Sequence, residues 1–316
     1  MNYLVTGGAG FIGSNIVEEL VRRGESVRVL DNFSTGKKSN LAQVLDRITL
    51  IEGDLRSYHI VREAVDGIDI VLHQAALPSV PRSVRDPITS NDVNVAGTLN
   101  LLYAAKDARV RRVVSASSSS VYGDSHELPK HEGIVPDPIS PYAVSKLAAE
   151  KYCTVFSRVY GLETISLRYF NVFGPRQDPS SQYAAVIPRF ITAMLNNNRP
   201  IIYGDGMQSR DFTYVANVVD ANLLAAVADC QGGVALNCAC HSQITLNHLV
   251  ERINQILRKD IQPVYEQPRP GDIKHSFASI EKAIRMIGYT PSVDFEEGLL
   301  RTIRWFAERS AGAVVP

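Results

Sequence analysis

The run Gly8-Ala9-Gly10-Phe11-Ile12-Gly13 constrains this chain more than any other feature. It is a G-x-G-x-x-G pattern with Gly7 in front. It stands between an apolar stretch (residues 3–6, YLVT) and a segment with helical apolar spacing at Ile12, Ile16, Val17 and Leu20. That strand–turn–helix setting gives the pattern its weight. Gly7 and Gly10 let the chain turn tightly with no Cβ in the way. The N–H groups at the helix start can then hold a pyrophosphate, and Gly13 permits close helix–strand packing. Asp31 closes the next expected strand (Val27, Val29, Leu30), 18 residues after Gly13. A carboxylate there accepts hydrogen bonds from an adenosine ribose and repels a 2′-phosphate, so NAD is favoured over NADP.

Further strands are expected at 48–51, 68–72, 111–116 and 162–168. Helices are expected at 58–66, 92–107 and 142–160, with a loop over 77–90. Strand–helix alternation of this kind reads as an α/β, Rossmann-type parallel sheet covered by helices on both faces. The pattern changes after about residue 170. Helices are expected at 186–195, 217–228, 245–258, 279–287 and 295–308, and strands at 200–203 and 233–237. The reading is therefore a nucleotide-binding domain over 1–170 and a smaller mixed α/β substrate-binding domain over 171–316. Some segments of the second part are expected to return to the first.

Composition narrows the function classes. Lys plus Arg and Asp plus Glu are each 33, a formal net charge of zero, which disfavours a nucleic-acid footprint or a polybasic membrane patch. Four cysteines (153, 230, 238 and 240) are too few for a disulfide scaffold, and Cys238 and Cys240 have no second ligand pair, so no metal site is expected. No apolar run approaches the ~20 residues of a membrane span. The N-terminus lacks a signal-peptide pattern. The expectation is a soluble cytoplasmic protein.

The chemical signal lies in Tyr142-Ala143-Val144-Ser145-Lys146, which puts Tyr142 and Lys146 on one helix face. A phenol of pKa near 10 is a poor base at neutrality. An ammonium nearby, together with a nicotinamide cation, favours the phenolate. Lys146 is also placed to hold nicotinamide ribose hydroxyls. Ser118, 24 residues before Tyr142, follows a strand and can bridge a sugar oxygen to the tyrosine oxygen. Ser117, Ser119 and Ser120 read as turn and substrate hydrogen-bond groups. Asp54 and Leu55 can frame the adenine edge, and Ala75 lets the dinucleotide pass closely. His73 reads as a packing residue. A non-catalytic NAD-binding scaffold has no need of Tyr142 and Lys146.

These segments, with Asn94-Val95-Ala96-Gly97-Thr98, Arg168-Tyr169-Phe170-Asn171 and Arg210-Asp211-Phe212, resemble the extended short-chain dehydrogenase/reductase family. The branch they resemble is that of the UDP-hexose 4-epimerases, and within it the UDP-N-acetylglucosamine 4-epimerase subgroup. The resemblance implies an NAD-dependent isomerase. It would interconvert UDP-N-acetylglucosamine and UDP-N-acetylgalactosamine reversibly at C4, through a 4-keto intermediate with NAD retained. UDP-glucose/UDP-galactose and UDP-hexuronate 4-epimerisation are the alternatives. Sugar 4,6-dehydratases carry an Asp-Glu pair where this chain has Ser119 and Ser120, and two serines do not supply the acid and base that dehydration needs.

The resemblance also adds Phe11, Ile12, Asn32 and Tyr169 to the cofactor contacts. On the substrate side it implies Ser79, Ser83 and Ser119 near the sugar and Asn171 at the diphosphate or sugar oxygens. Tyr203 would lie beside uracil, Arg210 and Arg269 would act as phosphate clamps, and Asp272 would meet the uridine ribose. Ser276 falls at the gate position, where a small residue admits a 2-acetamido group. A homodimer is implied through the helices at 92–107 and 142–160, with Leu99, Leu102, Tyr103, Leu147 and Tyr152 as candidates.

Overall fold

The computed structural model describes residues 1–179, 185–268 and 274–309. Its first half runs β1 (Asn2–Thr6), α1 (Phe11–Arg22), β2 (Ser26–Asp31), β3 (Thr49–Glu52), α2 (Tyr58–Val65) and β4 (Ile70–His73). It continues through α3 (Val80–Arg85), α4 (Pro87–Asn91), α5 (Gly97–Asp107), β5 (Arg112–Ser118), α6 (Pro141–Tyr160) and β6 (Glu163–Tyr169). The second half runs β7 (Val172–Phe173), α7 (Val186–Leu195), β8 (Ile201–Tyr203), β9 (Ser209–Arg210), β10 (Thr213–Tyr214), α8 (Val215–Val227) and β11 (Val234–Cys238). It ends with β12 (Ile244–Thr245), α9 (Leu246–Leu257), β13 (Val264–Glu266), β14 (His275–Ser276), α10 (Glu281–Ile287) and α11 (Phe295–Arg309).

Seven strands form one parallel sheet in the order β11-β6-β5-β4-β1-β2-β3. The order reverses between β1 and β4, which opens a crevice at the carboxyl ends of those strands. Alternate residues feed opposite faces. Tyr3, Val5, Ile70 and Leu72 join the core under α1 and α8, while Leu4, Val71 and Val113 join the core under α2, α5 and α6. Burial on both faces is why these strands read as apolar runs rather than as alternating ones. A separate core gathers Phe173, Phe190, Ile191, Leu249, Ile253, Phe295 and Ile303 from the second half.

The second half is tied to the first sheet. β11 pairs with β6 along its length, Val234 facing Ile165 and Cys238 facing Tyr169. Arg112, buried at the start of β5, donates to the carbonyls of Ala225, Ala228 and Cys230 and so satisfies oxygens at the end of α8.

The segment 77–90 is not a loop: it holds α3 and α4. Pro81 and Pro87 sit in the first turns, where a missing N–H costs nothing. Ser79 accepts from Arg82 N at 3.2 Å and Asp86 from Thr89 N at 3.0 Å as caps. The expected helix over 92–107 starts with a wider π-type turn, Asp92–Ala96, before α5. Among the described residues, no helix is long and apolar enough to cross a membrane.

Candidate active site

The crevice at the switch point is lined by the glycine turn, by the ends of β2 and β4, and by Tyr142 and Lys146 of α6. Its accessible volume is about 240 Å³. Gly7 has φ +67°, and a Cβ on it would lie 2.7 Å from Ala75 Cα. A Cβ on Gly13 would come within 2.1 Å of the Gly7 carbonyl oxygen. These two positions admit only glycine, so the turn stays low and the cleft floor stays open. The cap residue of α1, Gly10, offers no side-chain cap, which leaves the first N–H groups of the helix for a ligand. Phe11 and Ile12 line the cleft, and Phe11 also packs against the second core.

Asp31 ends β2 almost fully buried. Oδ2 accepts from Ala9 N and Oδ1 from Phe33 N, both at 2.8 Å, which fixes the carboxylate at the rim. Each oxygen keeps acceptor capacity for a ribose hydroxyl. Asn32 donates to Asp54 at 2.8 Å. Hydrogen bonding from Arg56, helped by Asn32, holds the Asp54 carboxyl down at about 2. Leu55, Ala75 and Tyr169 line the same space. Tyr169 closes a triangle that the sequence did not reveal: its hydroxyl donates to Gln74 (3.0 Å) and accepts from Asn222 (2.8 Å), and Gln74 donates to Asn222 (3.0 Å). Gln74 follows β4 directly, so its position at a strand end was a usable signal. Asn222 arrives from α8 and gave no local signal.

Tyr142 opens α6 behind the cap Ser140 and the first-turn Pro141. Burial raises its phenol above the ordinary value, and the hydrogen bond with Ser118 pulls the other way. Lys146 Nζ donates to Ala116 O at 2.9 Å and stands 6.0 Å from the Tyr142 ring centroid. Burial pulls Lys146 down to about 8. Ser118 Oγ also accepts from the Ser120 hydroxyl at 2.8 Å. Ser119 begins the turn beyond it, half-buried.

Two serines expected to contact ligands are turned inward. Ser117 donates to the buried Glu150 at 2.8 Å. Ser83 is fully buried, donating to Val80 O and accepting from Tyr142 N. Ser79 stays half-exposed on a strained backbone of φ +102°.

Asn171, Arg210, Tyr203 and Ser276, also expected on the substrate side, do not line the nucleotide cleft. Asn171 donates to Asp211 O at 3.1 Å. Arg210 of β9 lies beside Ser276 of β14 in register. Tyr203 lines a separate hollow of about 770 Å³ with Gln208, Tyr265 and Lys274. Arg269 and Asp272 lie outside the described residues. Asp211 holds this region together. Fully buried, it accepts from Cys240 N (2.9 Å) and Ala278 N (3.2 Å), and burial pushes it up to about 6.

A family profile described as the NAD dependent epimerase/dehydratase family matches residues 3–239. The chain belongs to that family. The crevice of Gly7, Gly13 and Asp31 fits a dinucleotide: Cβ atoms are absent from the turn, the helix start is uncapped and a carboxylate sits at the rim. A solved UDP-N-acetylglucosamine 4-epimerase from Methanobrevibacter ruminantium M1, in complex with UDP-N-acetylmuramic acid, is 44% identical. The alignment covers 98% of each chain with a TM-score of 0.93. A UDP-glucose 4-epimerase of Thermus thermophilus, in complex with NAD, is 38% identical over 98% of this chain and 100% of that one, TM-score 0.87. A UDP-glucose 4-epimerase of Mycolicibacterium smegmatis is 36% identical over 98% of this chain and 100% of its own length.

His73 of this family member packs as expected. It is buried between Thr6 Oγ1 (2.7 Å) and Thr98 Oγ1 (2.9 Å), and burial, aided by the charge of Lys146, lowers its pKa to about 3. The unfolded chain takes up this proton as pH falls through ~6.5 and the folded chain does not until about 3. His73 should therefore weaken the fold by roughly 1.4 kcal/mol per pH unit across that window. Urea unfolding from pH 7 to 4 should give a shallower acid limb for His73→Gln; superimposable limbs would exclude His73 as the source.

Proposed function

We propose that this protein inverts C4 of UDP-hexoses, with UDP-N-acetylglucosamine preferred, using retained NAD. One observation carries the reading: Tyr142 and Lys146 line the same crevice as the nucleotide-binding glycines, with Ser118 placed to pull the phenol's pKa down. Tyr142 takes the O4 proton, Ser118 bridges the two oxygens, and Lys146 holds ribose hydroxyls and adds positive potential. NAD supplies a reversible hydride acceptor, so the sugar can pass through a 4-ketone and be reduced on its other face. Arg210, with Arg269, holds the diphosphate while the sugar turns.

The preference for the acetamido sugar rests on Ser276, small and half-buried beside Arg210, and on the relative at 44% identity. The experiment is a UDP-sugar panel followed by NMR. Conversion of UDP-N-acetylglucosamine to its C4 epimer is expected. Ser276→Tyr should depress it at least ~10-fold relative to UDP-glucose. Turnover of UDP-glucuronate alone, or of no UDP-hexose, would overturn the reading.

The helix face of α5 and α6 presents Tyr103 (46% exposed), Tyr152, Val155, Val159 (65%) and Tyr160. We propose that two copies pair there. Leu102 takes no part, since it is fully buried in its own core, and Leu99 and Leu147 pack against cores too. Light scattering at one chain's mass would remove this proposal.

A further inference from the structure

We propose that Ser83 is a positioning residue for Tyr142, gripping the tyrosine by its main-chain N–H. The proposal rests on the role given to Tyr142 above. At the start of α6 the N–H groups have no partner within the helix. Pro141 has none to satisfy, and Ser140 Oγ accepts from Ala143 N at 3.2 Å. The Tyr142 N–H is left over, and it donates to Ser83 Oγ of α3 at 2.9 Å. Ser83 in turn donates to Val80 O at 2.8 Å, so its hydroxyl can present only a lone pair to Tyr142. The serine has no exposed surface, and water cannot replace it without opening the contact.

The Tyr142 carbonyl is gripped from the same side. Ser145 Oγ donates to it at 2.8 Å, and Asn94 Nδ2 donates to that Oγ at 3.0 Å. Asn94, buried, also accepts from Leu77 N at 2.7 Å and donates to Leu77 O at 3.2 Å. Both main-chain groups of Tyr142 are thus anchored to segment 77–83, one through Ser83 and one through Ser145 and Asn94. Helix α6 alone fixes the rise of the phenol. These two anchors fix its approach to Ser118, and small misplacements of a reacting group are costly.

The test compares Ser83→Ala, Ser83→Thr and Ser83→Cys in the NAD-loaded full chain. Ser83→Ala should lower kcat roughly 10–100-fold with KM within about twofold and bound NAD unchanged. Ser83→Thr, which keeps the acceptor, should recover most of the rate. Ser83→Cys, a weak acceptor of similar size, should fall between and serves if the alanine variant does not fold. In a Tyr142→Phe background, Ser83→Ala should cost nothing further, because its effect runs through the phenol. Unchanged kcat, a threonine variant as poor as alanine, or an additive loss in the phenylalanine background would each overturn the proposal.

A substrate-free readout separates this from the function itself. The tyrosinate absorbance of Tyr142, obtained by subtracting the Tyr142→Phe protein, should titrate lower in Ser83→Ala as water reaches the ring. An unmoved titration would sink the positioning role even if no UDP-hexose is ever turned over.

Discussion

Tyr142→Phe should reduce C4 inversion by roughly 10²–10⁴-fold while leaving NAD in place. The phenyl ring keeps its packing, because the main chain at 142 is held by Ser83 and Ser145 and not by the hydroxyl. What disappears is the group proposed to take and return the O4 proton. Ser118 then has no phenol partner, and Lys146, on Ala116 O, is 6.0 Å from the ring centroid. Steady-state kinetics with NAD occupancy read from the bound-cofactor spectrum checks this. A loss smaller than about tenfold would remove Tyr142 from the proton path. The pH profile adds a second check. Burial raises the phenol in the free chain, so the rate of the parent should climb with pH as the phenolate forms, over a range that a bound nicotinamide cation moves to lower pH.

The second large effect concerns the scaffold beneath that tyrosine. Glu150, one turn along α6 from Lys146, meets Arg168 of β6 in a bidentate pair at 2.6 and 3.0 Å, with both side chains about 4% exposed. Ser117 of β5 donates to the same carboxylate. The guanidinium lies 4.7 Å from the centre of the Tyr122 ring. Three elements that carry Ser118, Tyr142 and Tyr169 are thereby pinned at one point. Glu150→Ala strands a guanidinium in the core and should cost about 3–5 kcal/mol. Equilibrium urea unfolding measures it. Glu150→Leu with Arg168→Met should recover much of the loss, since a buried pair contributes little beyond a well-packed apolar one. A single-variant loss below about 1 kcal/mol would show that the pair holds nothing.

The central sheet was readable because its strands are buried on both faces, leaving apolar runs between glycine and carboxylate ends. The glycine turn, Asp31 and the Tyr142–Lys146 pair were readable because backbone conformation and helix spacing dictate them locally. Other features were hidden by distance along the chain. The two-residue strands β9, β12 and β14 exist only through mutual pairing. Asn222 reaches Tyr169 from 53 residues away. Ser83 and Ser117 present the same hydroxyl in sequence whether it faces a sugar or a carboxylate, so their inward turn appeared only with the fold. The segment 77–90 reads as a loop, yet its Pro81 and Pro87 serve equally well to begin helices.

The return of the chain to β11 has a consequence for how the protein is made. Leaving the ribosome, residues 1–170 hold every glycine and the tyrosine of the cleft, yet β6 is still a bare edge and the face beneath α8 is uncovered. Arg112 has no carbonyls to meet until Ala225 to Cys230 have emerged. The first half is therefore expected to complete its sheet late in synthesis. It waits for a strand about seventy residues downstream, and a nascent chain stalled before Cys238 is a species for chaperones to hold.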